Sequence, residues 1–318
     1  NTASSDGGGA GSVALLMSCA LALNRAATCG GAYNCTLSHC TVVSNSASRS
    51  LTAGVNFCRV SDSILYFNTA KADPVYGTTF EDVGGSAHCD NVCQPIYRSY
   101  IRGITNNPQL LDLWHIAATS PCRAAGTNVG NLGFLDLDKE PWSSPPAIGC
   151  DEVSEAALVG PLSVSVTGWP EVAAGGAMPL TANITGSASF LHWNFGDGVV
   201  VSNASYITFH VWTNVGNYTV TATAFNNDNP AGVTATFPVR VVPLEAPLLT
   251  NPIKEFSSFS LQVNGQPGVT YELQTATNLI PPVNWERVSS LTSTGVVTIR
   301  INPPYSDVDM RLYRLQVQ

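Results

Sequence analysis

Residues 190–226, FLHWNFGDGVVVSNASYITFHVWTNVGNYTVTATAFN, decide how the chain is read. Trp193 and Phe195 alternate with His192 and Asn194, the period-2 pattern of a half-buried strand. Gly196-Asp197-Gly198 breaks that pattern, because Asp-Gly supplies the positive-φ positions a tight hairpin needs. A second strand, Tyr206 to Trp212, runs into a turn marked by Asn214, Gly216 and Asn217. Tyr218 to Ala224 then sets β-branched residues on one face and small ones on the other. The stretch is the centre of a small antiparallel sandwich.

Three of its motifs carry a resemblance. WNFGDG, the later His210-Val211-Trp212, and the run from Gly216 to Ala224 resemble a PKD domain over roughly residues 160–242. Typical members have Tyr where this chain has Trp212. The resemblance implies an immunoglobulin-like fold and an extracellular setting, with a spacer or interaction role. Strands are expected near 162–166, 178–184, 191–195, 206–212, 218–225 and 234–242.

The rest of the composition fits that setting. The chain has 318 residues, enough for two or three domains. Charged residues make up only 11%, against the usual quarter or so, so its surface must rely on Ser, Thr, Asn and Gly. The net charge of −8 opposes binding to nucleic acid or anionic lipid. No apolar run approaches the ~18 residues of a membrane span. Val13 to Leu23 is apolar but is preceded by Asp6 and glycines, not by the basic flank of a signal peptide.

Upstream, three segments align on asparagine: LMSCALALN (16–24), LSHCTVVSN (37–45) and VSDSILYFN (60–68). Their spacing of 21 and then 23 residues, with a small-residue corner after each Asn, predicts a parallel β-solenoid whose turns stack. In this register Cys19 lies above Cys40, and Cys35 above Cys58, either as reduced small hydrophobes or as disulfides. All nine cysteines precede residue 151, and the odd count leaves at least one outside any internal pair. Cys89 and Cys93 could close a short local bridge, and Cys122 and Cys150 could meet further on. C-x3-C could also begin a zinc site, but no second Cys/His pair follows at a suitable distance. Gly7 to Ala10, Gly30 to Cys35 and the N-x-A corners resemble the right-handed β-helix repeats of bacterial surface and autotransporter-like proteins.

Four further motifs resemble the closing segment of secreted β-helix proteins. They are NPQLLD (107–112), SPCRAAG (120–126), DLD (136–138) and IGCDE (148–152). An open helix end must be covered, because it exposes unpaired backbone groups. Asp136 and Asp138 are candidate calcium ligands, or else a pair of carboxylates capping backbone. Beyond the sandwich, Pro243 to Pro247 is a stiff linker. Strands are then expected at 256–263, 270–275, 285–288, 296–301 and 311–317. G-x-P-G-x-x-Y-x-L-Q, Asn284-Trp285 and the final LYRL resemble a small C-terminal β-domain of large secreted bacterial proteins.

The expected architecture is therefore all-β. A short right-handed parallel β-helix (1–153) is followed by two immunoglobulin-like or β-sandwich modules, a PKD-like one (160–242) and a C-terminal one (248–318).

Catalytic signatures are sparse. Asp62 stacks near His39, the one acid/base pair that falls on adjacent rungs, and a surface hydrogen bond would explain it equally. Asp6, Asp73, Glu81, Asp82 and Asp90 complete the acids of the solenoid, with no pair recurring at rung spacing as a glycosidase requires. His88, His115, His192 and His210 are scattered. Trp142, Trp169 and Trp285 are candidates for stacking on sugar rings, or they pack loops onto their own modules. Two functions remain in view. One is a non-catalytic extracellular surface or matrix protein, adhesive, spacer or fibre-forming, with polysaccharide as a partner. The other is the C-terminal part of a polysaccharide-degrading β-helix enzyme, a lyase or glycoside hydrolase. No cofactor is implied beyond the candidate calcium. The chain opens at Asn1 directly before the first rung, which fits either end-to-end self-association or rungs lying further upstream.

Overall fold

The computed structural model describes residues 1–4, 7–12, 14–49, 52–70, 82–84, 87–95, 102–127, 135–154, 156–254, 259–281, 283–293, 296–301 and 312–317. Every regular element among them is a β-strand. Asp6, Asp73, Glu81, Arg311 and the start of the strand expected from 256 lie outside the described residues.

The N-terminal part is built from four narrow, wholly parallel sheets. In one, Leu15–Met17, Thr36–Ser38, Arg59–Ser61 and His88–Asp90 stack in order, with Leu16, Leu37, Val60 and Cys89 in register. In the next, Ala20–Ala22, Thr41–Val43, Ile64–Tyr66, Val92–Cys93 and Gly103–Ile104 do the same. Ala10–Gly11, Ala32–Tyr33 and Val55–Asn56 form a third sheet. Arg25–Ala26, Ser46–Ala47 and Thr69–Ala70 form the fourth. Successive strands of each sheet lie one repeat apart, an arrangement consistent with a β-helix.

Two side-chain ladders explain the repeat. Asn24, Asn45 and Asn68 are buried one above another. Oδ1 of Asn45 accepts from both N and Nδ2 of Asn24, while its Nδ2 donates to Leu21 O and to Asn68 Oδ1. Asn68 repeats the pattern, donating to Val42 O and Asp82 Oδ1, so both amides use all four of their hydrogen-bonding positions. Gly9, Gly31 and Gly54 form the second ladder. A Cβ on Gly31 would sit 2.2 Å from the carbonyl oxygen of Gly54, so only glycine lets the rungs approach this closely.

The corners are left-handed without glycine. Ser12, Asn34 and Phe57 stack at one, Ser18, His39, Asp62 and Asn91 at a second, and Leu23, Ser44 and Phe67 at a third, all with φ between 44° and 63°. Each such residue costs about 1–2 kcal/mol against an ordinary helical or extended backbone. The cost is offset because the corner N–H groups still reach the next rung: His39 N donates to Ser61 O, and Asp62 N to Asp90 O. Residues 1–3 cover part of the first rung, with Arg25 N donating to Asn1 O and Ala3 N to Arg25 O. The interior holds Leu21, Leu37, Val42, Val60 and Leu65 together with Cys35, Cys58 and Cys89.

The closing segment is packed into the sandwich. Leu110 N donates to Ser205 Oγ, Tyr206 N to Leu110 O, and Ala118 N to Ser189 O. Leu111 and Ala117 join the sandwich core, while Tyr206 joins the core at the end of the parallel coil. The parallel coil, its closing segment and the sandwich therefore share a packing layer.

The sandwich pairs a three-stranded sheet with a five-stranded one. Ser163–Gly168, Ala177–Thr185 and Ile207–Val211 form the first. Glu171–Ala173, Asn229–Val242, Gly216–Asn226, Phe190–Asn194 and Val200–Val201 form the second. The short strands at 171–173 and 200–201 were not expected. Trp193 and Trp212 fill the core, with their indole N–H groups donating to Ser205 O and Phe195 O. Trp212 thus keeps a polar partner in the place where related domains carry Tyr.

The last module has two three-stranded sheets. Its first strand, Leu248–Lys254, contains Pro252, which argues against a strand on sequence alone. The structure accommodates it through a register shift between Thr250 and Ile253, with Asn251 at φ 50°. The module meets the sandwich through Ala177 N donating to Gly268 O and through Tyr271 buried against Ala173.

Candidate functional site

The closing segment gathers its polar residues around one cavity of about 350 Å³, bordered on the far side by residues 184–188 of the sandwich. Asp112 shapes the first wall. Its Oδ1 accepts from the backbone N–H groups of Trp114 and His115, and its Oδ2 lies 2.5 Å from His115 Nδ1. The Trp114 ring stacks on the imidazole at 3.5 Å, fixing its plane. His115 Nε2 then faces Asp138 Oδ2 at 3.5 Å. Asp151, only 2% exposed, closes the floor, its Oδ2 accepting from Ile116 N at 2.7 Å.

The neighbouring acids are occupied by backbone. Asp136 accepts from Glu140 N and Glu152 N, Glu140 from Ser154 N, and Glu152 from Ala147 N and Ser143 Oγ. Asp136 is thus the backbone-capping carboxylate of the two readings given to the D-x-D pair. Asp138 instead turns toward His115. Ligand atoms of His115, Asp138 and Asp151 lie within 4.8 Å of one another, as do those of Asp136, Asp138 and Glu140.

Burial opposes charge on His115, but the Asp112 hydrogen bond and the charges of Asp112, Asp151 and Asp138 outweigh it, raising its pKa to about 9. Burial pushes Asp151 well above the usual carboxylate range. Burial, with Asp138 alongside, brings Asp136 up to about 7 despite its two N–H donors.

The other sequence candidates lie elsewhere and are occupied. His39 is fully buried with the Trp142 ring edge-on at 5.3 Å, and burial lowers its pKa against the pull of Asp62. Asp62 occupies the adjacent rung, but its carboxylate accepts from Asn91 Nδ2, Thr127 N and Thr127 Oγ1. The stacked pair therefore holds the coil to its closing segment, and neither member faces an open site. Trp169 packs against the sandwich core, and the Arg314 guanidinium covers the Trp285 ring at 4.2 Å. With Trp142 on His39, the three tryptophans form no common platform.

No disulfide joins any of the nine cysteines. The expected Cys89–Cys93 bridge is replaced by stacking on two different sheets, Cys89 beside Val60 and Cys93 beside Ile64, across the left-handed corner at Asn91. Cys122 and Cys150, which could have met, likewise form no bridge. Cys122 instead shares a core cluster with Cys93, whose Sγ donates to Asn106 O, whereas Cys150 N donates to Thr41 Oγ1.

Asp112, Asp136, Asp138, Asp151 and Glu152 lie inside three of the separate sequence motifs, and the fold brings those motifs together here. Neither His115, one of the scattered histidines, nor Asp151, inside the last motif, stood out from the sequence as a site residue. The signal for His115 was its position three residues after Asp112, within reach of an Asp-capped turn.

No curated protein matches the chain. Among solved structures, a carbohydrate-binding module of the β-sandwich superfamily is similar at 15% identity, with a TM-score of 0.23, covering 49% of this chain and 91% of its own. The fibronectin(III)-like modules of Clostridium thermocellum CbhA match at 14%, TM-score 0.23, covering 47% of this chain and 90% of theirs. A Parabacteroides merdae β-glucuronidase matches at 11%, TM-score 0.23, over 89% of this chain and 42% of its own. Likenesses at these scores carry no statement about binding or catalysis. The PKD domain family model matches residues 162–239, the same stretch that carries the WNFGDG hairpin and the buried Trp193 and Trp212: this part of the chain is a PKD domain.

Proposed function

We propose that this chain is a non-catalytic extracellular scaffold whose N-terminal coil, a right-handed parallel β-helix, holds acidic polysaccharide on its outer face. The observation that carries the reading is a groove of about 680 Å³ over the fourth parallel sheet. Arg25 and Arg49 flank it, and Ala26, Ala47 and Ala70 form a floor that leaves the backbone approachable. Ser46 and Thr69 add hydroxyls. Among the described residues, neither guanidinium has a carboxylate partner. On a chain of net charge −8, two such arginines beside one groove suit a carboxylated ligand, which guanidinium groups bind through paired hydrogen bonds. Rungs about 4.8 Å apart offer the contacts as a repeat. The PKD domain and the C-terminal module then serve as spacers.

The surroundings of the acid/base candidates support the non-catalytic reading. His39 is covered by Trp142, and Asp62 is held by Asn91 and Thr127. Affinity electrophoresis through acidic and neutral polysaccharides tests the reading. Retardation in the acidic gels alone, lost with rising salt, is the expected result. Release of reducing ends or unsaturated products would make the chain part of a polysaccharide-degrading enzyme instead.

A further inference from the structure

The geometry points to a divalent transition-metal site formed by His115, Asp138 and Asp151, with zinc the best-fitting ion. Four observations carry it, none depending on the glycan reading.

The first is the ligand geometry. Two ligands of a tetrahedral zinc, each about 2.0–2.1 Å from the ion, stand roughly 3.4 Å apart. His115 Nε2 and Asp138 Oδ2 are already separated by 3.5 Å. The third ligand atom, on Asp151, lies within 4.8 Å of both, so one side-chain adjustment of about 1 Å completes the set.

The second is the orientation of the imidazole. Metal-bound histidines usually donate their other ring N–H to a carboxylate, which fixes the tautomer and directs the free lone pair at the ion. Asp112 Oδ2 stands 2.5 Å from His115 Nδ1, and Trp114 holds the ring plane from one face. That arrangement aims Nε2 at two carboxylates, where a divalent cation can take the place of the ring proton.

The third is Asp151 itself. It is 2% exposed, and its Oδ2 accepts a single N–H from Ile116. Its second oxygen has no hydrogen-bond partner among the described residues and borders the cavity. A nearly buried carboxylate whose second oxygen is left open to the cavity favours a bound cation.

The fourth is the donor chemistry. One imidazole nitrogen with two carboxylate oxygens suits zinc or a neighbouring transition ion, whereas calcium and magnesium prefer oxygen throughout. Asp136, expected among the calcium ligands, holds the turn behind the site through its two backbone donors. A bound ion would tie the segments at 112–116, 136–140 and 150–154 together where the coil meets the PKD domain. The cavity leaves room for water as a fourth ligand.

Titration calorimetry on the full chain, first stripped with a chelator and dialysed, tests the site with zinc chloride, manganese chloride and calcium chloride. One zinc per chain is expected, bound at least tenfold more tightly than calcium, with the unfolding temperature rising as zinc is added. D138N and H115Q should each weaken zinc binding at least tenfold while leaving the far-ultraviolet circular dichroism unchanged. H192A, in the sandwich, should bind zinc as the wild type does. If H115Q fails to fold, D138N carries the test, since Asp138 is exposed and makes no backbone hydrogen bond. Absence of zinc binding by the wild type, undiminished binding in D138N, or a preference for calcium would overturn the assignment.

Discussion

Replacing Asn45 with Ala removes the middle of the buried amide ladder, and the structure sets the size of the effect. Four hydrogen bonds vanish: two into Oδ1 from Asn24, and two from Nδ2 to Leu21 O and Asn68 Oδ1. Asn24 N–H, Asn24 Nδ2 and Leu21 C=O lose a partner in the interior, where Asn24 and Asn45 are 4% and 0% exposed. A buried polar group left unsatisfied costs about 1–3 kcal/mol, so three such groups sum to roughly 3 kcal/mol or more. Because the chain has several cooperative units, a single unfolding midpoint would blur the loss. Native-state hydrogen exchange reads it locally. At about 1.4 kcal/mol per decade, the amides of residues 20–24 and 41–45 should exchange at least ~100-fold faster, while those of 218–224 stay as they were. Asn45→Asp keeps the acceptor but sets a charge against Leu21 O and Asn68 Oδ1, and should be at least as damaging. An N45A chain exchanging within about fivefold of the wild type in those segments would refute the ladder as the element that specifies the repeat.

Other perturbations act on separate parts of the structure. Gly31→Ala places a methyl 2.2 Å from Gly54 O and 2.7 Å from Val42 Cγ1, and should destabilise the coil by about 1–3 kcal/mol or more in urea unfolding. Trp212→Tyr should cost only about 1–2 kcal/mol, since an aromatic remains while the bond from the indole to Phe195 O is altered; loss of folding would contradict this. In metal-free protein, His115 is raised to about 9, so its contribution is complete below the ordinary histidine pKa near 6.5 and is lost as pH rises through 9. The unfolding temperature of the closing segment should therefore fall across that window in the wild type and stay flatter in H115Q.

Much of the fold was legible because its physics is local or periodic. The Asp-Gly hairpin, the alternation around Trp193 and the 21/23-residue asparagine spacing each fix a strand or a register by themselves. Strands that exist only through tertiary pairing were invisible. Val200–Val201 is two residues long, and Leu248–Lys254 hides a proline in a bulge. Several left-handed corners carry Leu, Phe and His, residues that by themselves give no turn signal. Stacking tolerates them because the next rung takes up their N–H groups. Cys89 and Cys93 show a related effect, since closeness in sequence across a corner sends their side chains to different sheets. The acids of the closing segment were legible as motifs, but their convergence was not. It depends on turns at 112–116 and 136–140 folding against Asp151, contacts that span up to 35 residues.

On the proposed reading, the arginine-flanked groove binds a carboxylated glycan without cleaving it. An isothermal titration with a defined uronic acid oligosaccharide, followed by mass spectrometry of the recovered ligand, tests both halves at once. Saturable binding to the wild type is predicted, weakened at least tenfold in the double variant R25A/R49A and by rising salt, with the oligosaccharide recovered at its starting mass. Equal affinity in the double variant, or recovery of shorter fragments, would contradict it.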